Sequence, residues 1–163
     1  MRSIHRCHRN LFACAMLAAT LALGGCGSAA TKLQPPTAGI QQLTVNSDGT
    51  WAVLVRFQNY SYDTGMHVYA IDASLSLNGS VIGQVAISPG LGIPQMDADV
   101  ASVTLRPNAA GIAALAKAGH GAMQYELKGT LSVGKGDTGK PQPFKLDGKG
   151  YISPVPGVAN IWR

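Results

Sequence analysis

The chain has 163 residues, 46% of them hydrophobic, with 13 basic and 8 acidic side chains and a formal net charge of +5. That is too apolar for a disordered chain and about the size of one domain with a tail. Three of the basic residues, Arg2, Arg6 and Arg9, open the chain and no run of Lys and Arg follows them, which excludes a basic nucleic-acid-binding face.

Residues 11–25 then run without a charge, so residues 1–25 have the layout of an export signal. The apolar run falls short of the ~20 residues that span a bilayer as a helix, and small residues follow it. It ends in Leu23-Gly24-Gly25-Cys26, which resembles the lipobox of bacterial lipoproteins, where a diacylglycerol is attached to the cysteine before the signal is cut away. The resemblance implies lipidation at Cys26 and a membrane partner reached through that lipid. An ordinary secretory leader cut after Gly25 or Ala29 is the alternative. Cys7 and Cys14 leave with the leader in either case, so a body that acylates Cys26 keeps no thiol for a disulfide. Without the leader arginines, ten basic residues face eight acids.

Residues 26–39 hold one charge and two prolines and read as a lipidated N-terminus and flexible tether. From Ile40 to residue 163 the pattern is that of a β domain. A weak strand covers Ile40 to Val45. Trp51, Val53, Val55 and Phe57 then alternate with Arg56 and Gln58 on the other face, a half-buried strand. The next strand places Tyr69, Ile71, Ala73, Leu75 and Leu77 inward, opposite Asp72, Ser74 and Ser76. Asn78-Gly79 favours a tight hairpin turn, with a return strand from Val81 to Ile87. After a turn-rich stretch, Val100 to Leu105 forms a strand closed by Pro107. Residues 108–118 predict one short helix capped by Asn108 and Gly119, with Ile112 and Leu115 facing the sheets. Met123, Tyr125, Leu127, Leu131 and Val133 alternate along a long strand, and a last strand carries Phe144, Leu146 and Ile152. About seven strands and one helix, with no crossover helices, predict an all-β sandwich of the immunoglobulin or fibronectin-III type. A closed barrel fits the same pattern.

Candidate chemistry is sparse. Gly134 to Lys140 fits the first seven places of a phosphate-binding loop, but Pro141, Gln142 and Pro143 stand where a Ser or Thr and a helix should follow, so a solvated hairpin loop explains it better. Asp97 and Asp99 could share one side of an extended segment as a weak cation site or an acid/base pair; a charged edge that resists strand pairing is the plainer reading. His67 and His120 are the histidines left after the leader, a poor zinc set without cysteine. Neither a Gly-x-Ser-x-Gly elbow nor a Ser-x-x-Lys motif occurs. Trp51 and Tyr69 read as core aromatics. Trp162, in an apolar ending, either folds back on the domain or offers a partner a hydrophobic handle.

The blocks "WAVLVRFQN", "VYAIDASLSLNGSVIGQV", "IPQMDADVASVTL", "YELKGTLSV" and "PFKLDGKGYISP", in this order from about Leu43 to Pro154, resemble the WHy domain of the group 2 late-embryogenesis-abundant (LEA type 2) family. The resemblance implies a β-sandwich with one helix, no cofactor and no catalytic residues, and an association with water stress, desiccation and hypersensitive responses. Gln58-Asn59-Tyr60 departs from the family's usual Asn-Pro at the end of the first long strand, so the turn there is open.

The leading expectation is a lipid-anchored, non-enzymatic envelope protein that protects under water or osmotic stress. It would sit in the outer membrane facing the periplasm if the cell has two membranes, since Gly27 is similar to the residue found in lipoproteins sent there. The alternatives are an interaction module that helps assemble or secrete an envelope protein partner, and an enzyme whose site is assembled from distant residues. No small-molecule substrate is evident from the residues.

Overall fold

The computed structural model describes residues 32–119 and 121–163. The leader, Cys26 and His120 lie outside the described residues. In chain order the elements are β1 (Thr37–Val45), β2 (Trp51–Gln58), β3 (Met66–Leu77), β4 (Ser80–Ile87), β5 (Leu91–Ile93), β6 (Ala98–Leu105), α1 (Ala109–Ala118), β7 (Met123–Lys135), β8 (Gln142–Ile152) and β9 (Ile161–Trp162). They form two antiparallel sheets, one in the order β6-β2-β1-β9 and one in the order β4-β3-β7-β8 with β5 added to β3. This is the expected all-β sandwich. Its described strands number nine rather than seven.

Alternation decides which side chains the two sheets bury between them. Trp51, Val53, Val55 and Phe57 of β2 are buried, as are Met123, Tyr125, Leu127, Leu131 and Val133 of β7. They meet Ile71, Ala73, Leu75 and Leu77 of β3 in one continuous core. At about 25 cal/mol per Å² of apolar surface this core is the principal source of stability, because the described residues contain no cysteine to cross-link.

Three expectations need correction. Tyr69 does not point inward: a bulge between Val68 and Ala70 shifts the register of β3 on β7, so Val68 and Ile71 are the buried pair and Tyr69 is half-buried. Its hydroxyl instead donates to the Gly139 carbonyl at 2.8 Å. Ile112 does not face the sheets either, being 59% exposed. Gly111 takes that place, since a Cβ there would fall 3.0 Å from the Ile82 Cβ and 3.1 Å from the Pro107 Cβ. This close approach rotates α1 so that Ala114, Leu115 and Ala118 pack on the core.

The third concerns the segment read as tether through residue 39. Thr37 already pairs with Gln58, Leu33 is buried, and the Gln34 amide donates to the Ser61 Oγ at 3.0 Å. Pro35 and Pro36 hold the preceding chain extended, and the ladder onto β2 continues it into β1. The chain therefore joins the body at Leu33, beside the loop that follows β2.

The ends of the sandwich differ in construction. At one end Asn78 and Gly79, with φ of 47° and 82°, turn β3 into β4 as the Asn-Gly pair requires. There Asn108 caps α1: its Oδ1 accepts from the Gly111 amide at 2.9 Å, and its Nδ2 donates to the Val81 carbonyl at 2.8 Å. At the other end lie the entry at Leu33, the loop 59–65, β5 and the loop between β7 and β8, where the Gly136 amide donates to the Gly65 carbonyl at 2.7 Å.

Candidate functional site

An open groove of about 780 Å³ lies where β1 crosses β8. Small residues create it. A Cβ on Gly148 would fall 2.2 Å from the Ala38 carbonyl oxygen, and one on either Gly39 or Gly150 would fall 2.7 Å from the Tyr125 hydroxyl. Glycines at these places let the strands approach and let the Tyr125 ring lie across β8. Arg56, Gln58, Tyr60, Lys145 and Lys149 form much of the rim.

Both banks of the groove are strand edges. Among the described residues, β9 pairs β1 at Leu43 and Thr44, no strand pairs the Thr37 to Gln41 stretch on that side, and β8 is the terminal strand of its sheet. The cations Arg56, Lys145 and Lys149 outnumber Asp147 along the lining. Lys149 lies 3.8 Å from both Asp147 and Glu126, and Arg56 donates to the Gln58 side chain at 3.0 Å. The Lys128 ammonium, and behind it Lys149, hold the Glu126 carboxyl below the usual carboxylate range, and the same contact raises Lys128. These are solvated outward pairs on the sheet face, worth little to stability. Such a groove can accept an extended backbone by strand addition, with lysines at the edge restricting what pairs there.

The residues singled out in the sequence do not converge. Cys26 and His120 fall outside the described residues. Trp162 is buried in β9, paired with Leu43, so the folded-back alternative is the one observed and the tail presents no exposed indole. His67 stacks at a tilt on Tyr69, with ring centroids 4.6 Å apart. Asp97 and Asp99 each accept from the amide of the residue that follows, at 2.8 and 2.7 Å, and remain at an exposed edge. Of Gly134 to Lys140, Gly134 and Lys135 end β7, paired with His67 and Met66, and the rest lies in the loop that leads to β8. Among the described residues, no three His, Cys, Asp or Glu side chains are grouped to hold a metal, and no helix is long and apolar enough to cross a membrane.

Sequence reasoning missed Asn59. It is fully buried, and its Nδ2 donates to the carbonyls of Thr64 at 3.0 Å and Pro94 at 2.9 Å, while its Oδ1 accepts from the Ser61 amide at 2.9 Å. Its own amide donates to the Asp97 carbonyl at 2.9 Å. The loop 59–65 is thus fastened to the segment before β6. The departure from Asn-Pro after Asn59 was the available signal; it pointed to this turn without revealing its partners.

No curated protein matches the chain in sequence. Among solved structures the chain is similar to a protein from Archaeoglobus fulgidus at 11% identity, covering 76% of this chain and 100% of that one with a TM-score of 0.38. It is also similar to a protein described as late embryogenesis abundant (LEA), at 17% identity over 93% of this chain and 88% of that one with a TM-score of 0.40. A third similarity is to the ApaA protein of Bordetella pertussis, at 11% identity over 78% of this chain and 100% of that one, TM-score 0.32. The family model for late embryogenesis abundant protein, LEA_2, matches residues 54–148, more than half the chain, and the chain belongs to that family.

Proposed function

We propose that this LEA-type protein is a membrane-anchored, non-enzymatic lipoprotein that protects components of the cell envelope under desiccation or osmotic stress. The observation that carries the reading is an order of features: an arginine-bearing leader, an uncharged run closed by Leu23-Gly24-Gly25-Cys26, and then a body matched by LEA_2. Members of that family are generally not enzymes. Two or three acyl chains on Cys26, each buried methylene contributing about 0.8 kcal/mol, would hold the protein at a membrane where one chain holds it only marginally. In a cell with two membranes, Gly27 after the lipidated cysteine directs it to the outer one, facing the periplasm.

Cell fractionation of a Cys26→Ser strain tests the anchor: the protein should become soluble or stay unprocessed, and unchanged membrane attachment refutes it. The protective role predicts that deleting the gene lowers survival of drying and osmotic shock; equal survival refutes that part alone. A second reading, an assembly or secretion module for an envelope protein partner, is favoured by the groove between the unpaired edges of β1 and β8. Cross-linking in intact cells separates the two, since one abundant stoichiometric partner supports the module and diffuse contacts support protection.

A further inference from the structure

We infer that the end of the sandwich carrying Tyr60, Tyr62 and Met96 is the face the domain sets against a lipid surface. The inference rests on the lipid anchor proposed above and adds an orientation to it.

Tyr62 is 80% exposed, and Tyr60 and Met96 are each 47% exposed. They are gathered by one buried residue. Ser61, 1% exposed, lies between the two tyrosines, and its carbonyl accepts from the Met96 amide at 3.1 Å. Asn59 accepts from the Ser61 amide. The buried polar groups below therefore hold this cluster in place. Tyrosine suits the boundary of a membrane, where the ring can enter the acyl margin while the hydroxyl stays wet.

The same Ser61 fixes where the chain enters. Its Oγ accepts from the Gln34 amide at 3.0 Å, next to buried Leu33. From Cys26 to Leu33 the chain takes seven residue steps, a contour of at most about 25 Å. An acyl-bearing Cys26 thus holds the bilayer within about 25 Å of Leu33, at the end of the body where the Gln34 amide meets Ser61 between the two tyrosines, whatever path the intervening residues take. The other large exposed apolar side chains, Val81, Ile112, Tyr151 and Val158, lie toward the other end, around the Asn78-Gly79 turn, α1 and the closing segment. Charges near the tyrosine end are of both signs, with Asp63, Asp97 and Asp137 set against Lys32, Lys135 and Lys140 and against Arg56 on the groove rim that Tyr60 shares. The contact therefore relies on the aromatic and thioether side chains, not on anionic lipid.

The experiment uses the full processed protein, purified from membranes and reconstituted into phosphatidylcholine vesicles that contain a brominated phosphatidylcholine as quencher. Trp51 and Trp162 are buried and supply a constant background. Tyr62→Trp should add fluorescence that the brominated lipid quenches by about half or more, consistent with an interfacial side chain. Tyr151→Trp, at the far end of β8, should add fluorescence that is not quenched. Met96→Trp reads the same surface if Tyr62→Trp does not fold. Vesicle flotation in the same samples reports the anchor separately. Protein that floats with the vesicles but shows equal quenching at both ends, or none at Tyr62→Trp, overturns the orientation and leaves the anchor standing. Protein that does not float overturns both.

Discussion

The side-chain amide of Asn59 donates to the Pro94 carbonyl at 2.9 Å, joining the end of β2 to the turn before β6 across 35 residues of chain. With the Thr64 carbonyl and the Ser61 amide also satisfied by this one side chain, its removal takes the side-chain partner from two buried polar groups as well as from the Pro94 carbonyl. Each such group costs about 1–3 kcal/mol. Asn59→Ala should lower the unfolding free energy by about 3 kcal/mol, read from the urea midpoint at constant m. Asn59→Asp keeps the acceptor for Ser61 but turns a carboxylate toward two carbonyls, and should be at least as damaging. A loss under about 1 kcal/mol for both would show that the loop is held by other contacts.

How far the sequence discloses such features depends on how local their cause is. β2 and β7 are legible because strict alternation needs only the strand itself. Tyr69 misleads because the bulge at Val68 and Ala70 arises in the pairing of β3 with β7, sixty residues or so away in the chain. Ile112 misleads because the rotation of α1 follows from how closely Gly111 can approach Ile82. β5 and β9, of three and two residues, are too short to carry a period; each exists because a longer strand offers it an open edge. The groove is invisible for the same reason, being made where β1 and β8 cross.

That groove yields a second expectation. The Tyr125 ring occupies the space over Gly150, whose Cβ would lie 2.7 Å from the hydroxyl and 2.8 Å from two ring carbons. Gly150→Ala should cost about 1–3 kcal/mol, the usual price of overpacking. Combining it with Tyr125→Leu should cost less than the sum of the two single changes, because the second removes the obstacle. Additive losses in this double-mutant cycle would place the strain elsewhere.

On α1 two neighbouring substitutions should reverse their ordinary order. An exposed helical Gly→Ala change gains about 1 kcal/mol, yet Gly111→Ala would press a methyl onto Ile82 and Pro107 at 3.0 and 3.1 Å. It should therefore be neutral to destabilising in thermal unfolding. Ile112→Ala, at a site 59% exposed, should change stability by no more than about 0.5 kcal/mol. A stabilised Gly111→Ala protein would mean that the helix can move away from β4 at little cost.

The hairpin between β1 and β2 supplies a pH dependence. Asp48 Oδ1 accepts from the Thr50 hydroxyl at 2.6 Å and the Thr50 amide at 2.9 Å, and the hydroxyl contact, followed by the amide, lowers the carboxyl pKa. A carboxyl lowered in the folded state binds its proton more readily in the unfolded one. Its contribution is present above the unfolded pKa and is lost as pH falls through the lower folded pKa. Asp48→Asn should therefore flatten the acid limb of the stability curve between those two values and leave the neutral to alkaline side parallel to wild type. The exposed site makes the effect small, and high salt should change it little if the hydrogen bonds dominate. An acid limb of unchanged slope in Asp48→Asn would assign the acid sensitivity to other carboxylates.

Trp162 offers the sharpest separation between packing and polarity. The residue is 8% exposed, yet its indole Nε1 has no hydrogen-bond partner among the described residues. A buried donor left unpaired costs about 1–3 kcal/mol, while the ring supplies apolar burial and helps cover Leu43 through β9. The two contributions have opposite signs, so different substitutions isolate them. Trp162→Phe keeps most of the burial and discards the orphan donor, and should leave stability within about 1 kcal/mol of wild type. Trp162→Ala discards the burial as well and should cost about 3 kcal/mol or more. If the phenylalanine variant loses as much as the alanine one, the indole N–H has a partner in solution, and a bridging water in the nearby hollow formed by Pro154 to Ile161 becomes the explanation to pursue.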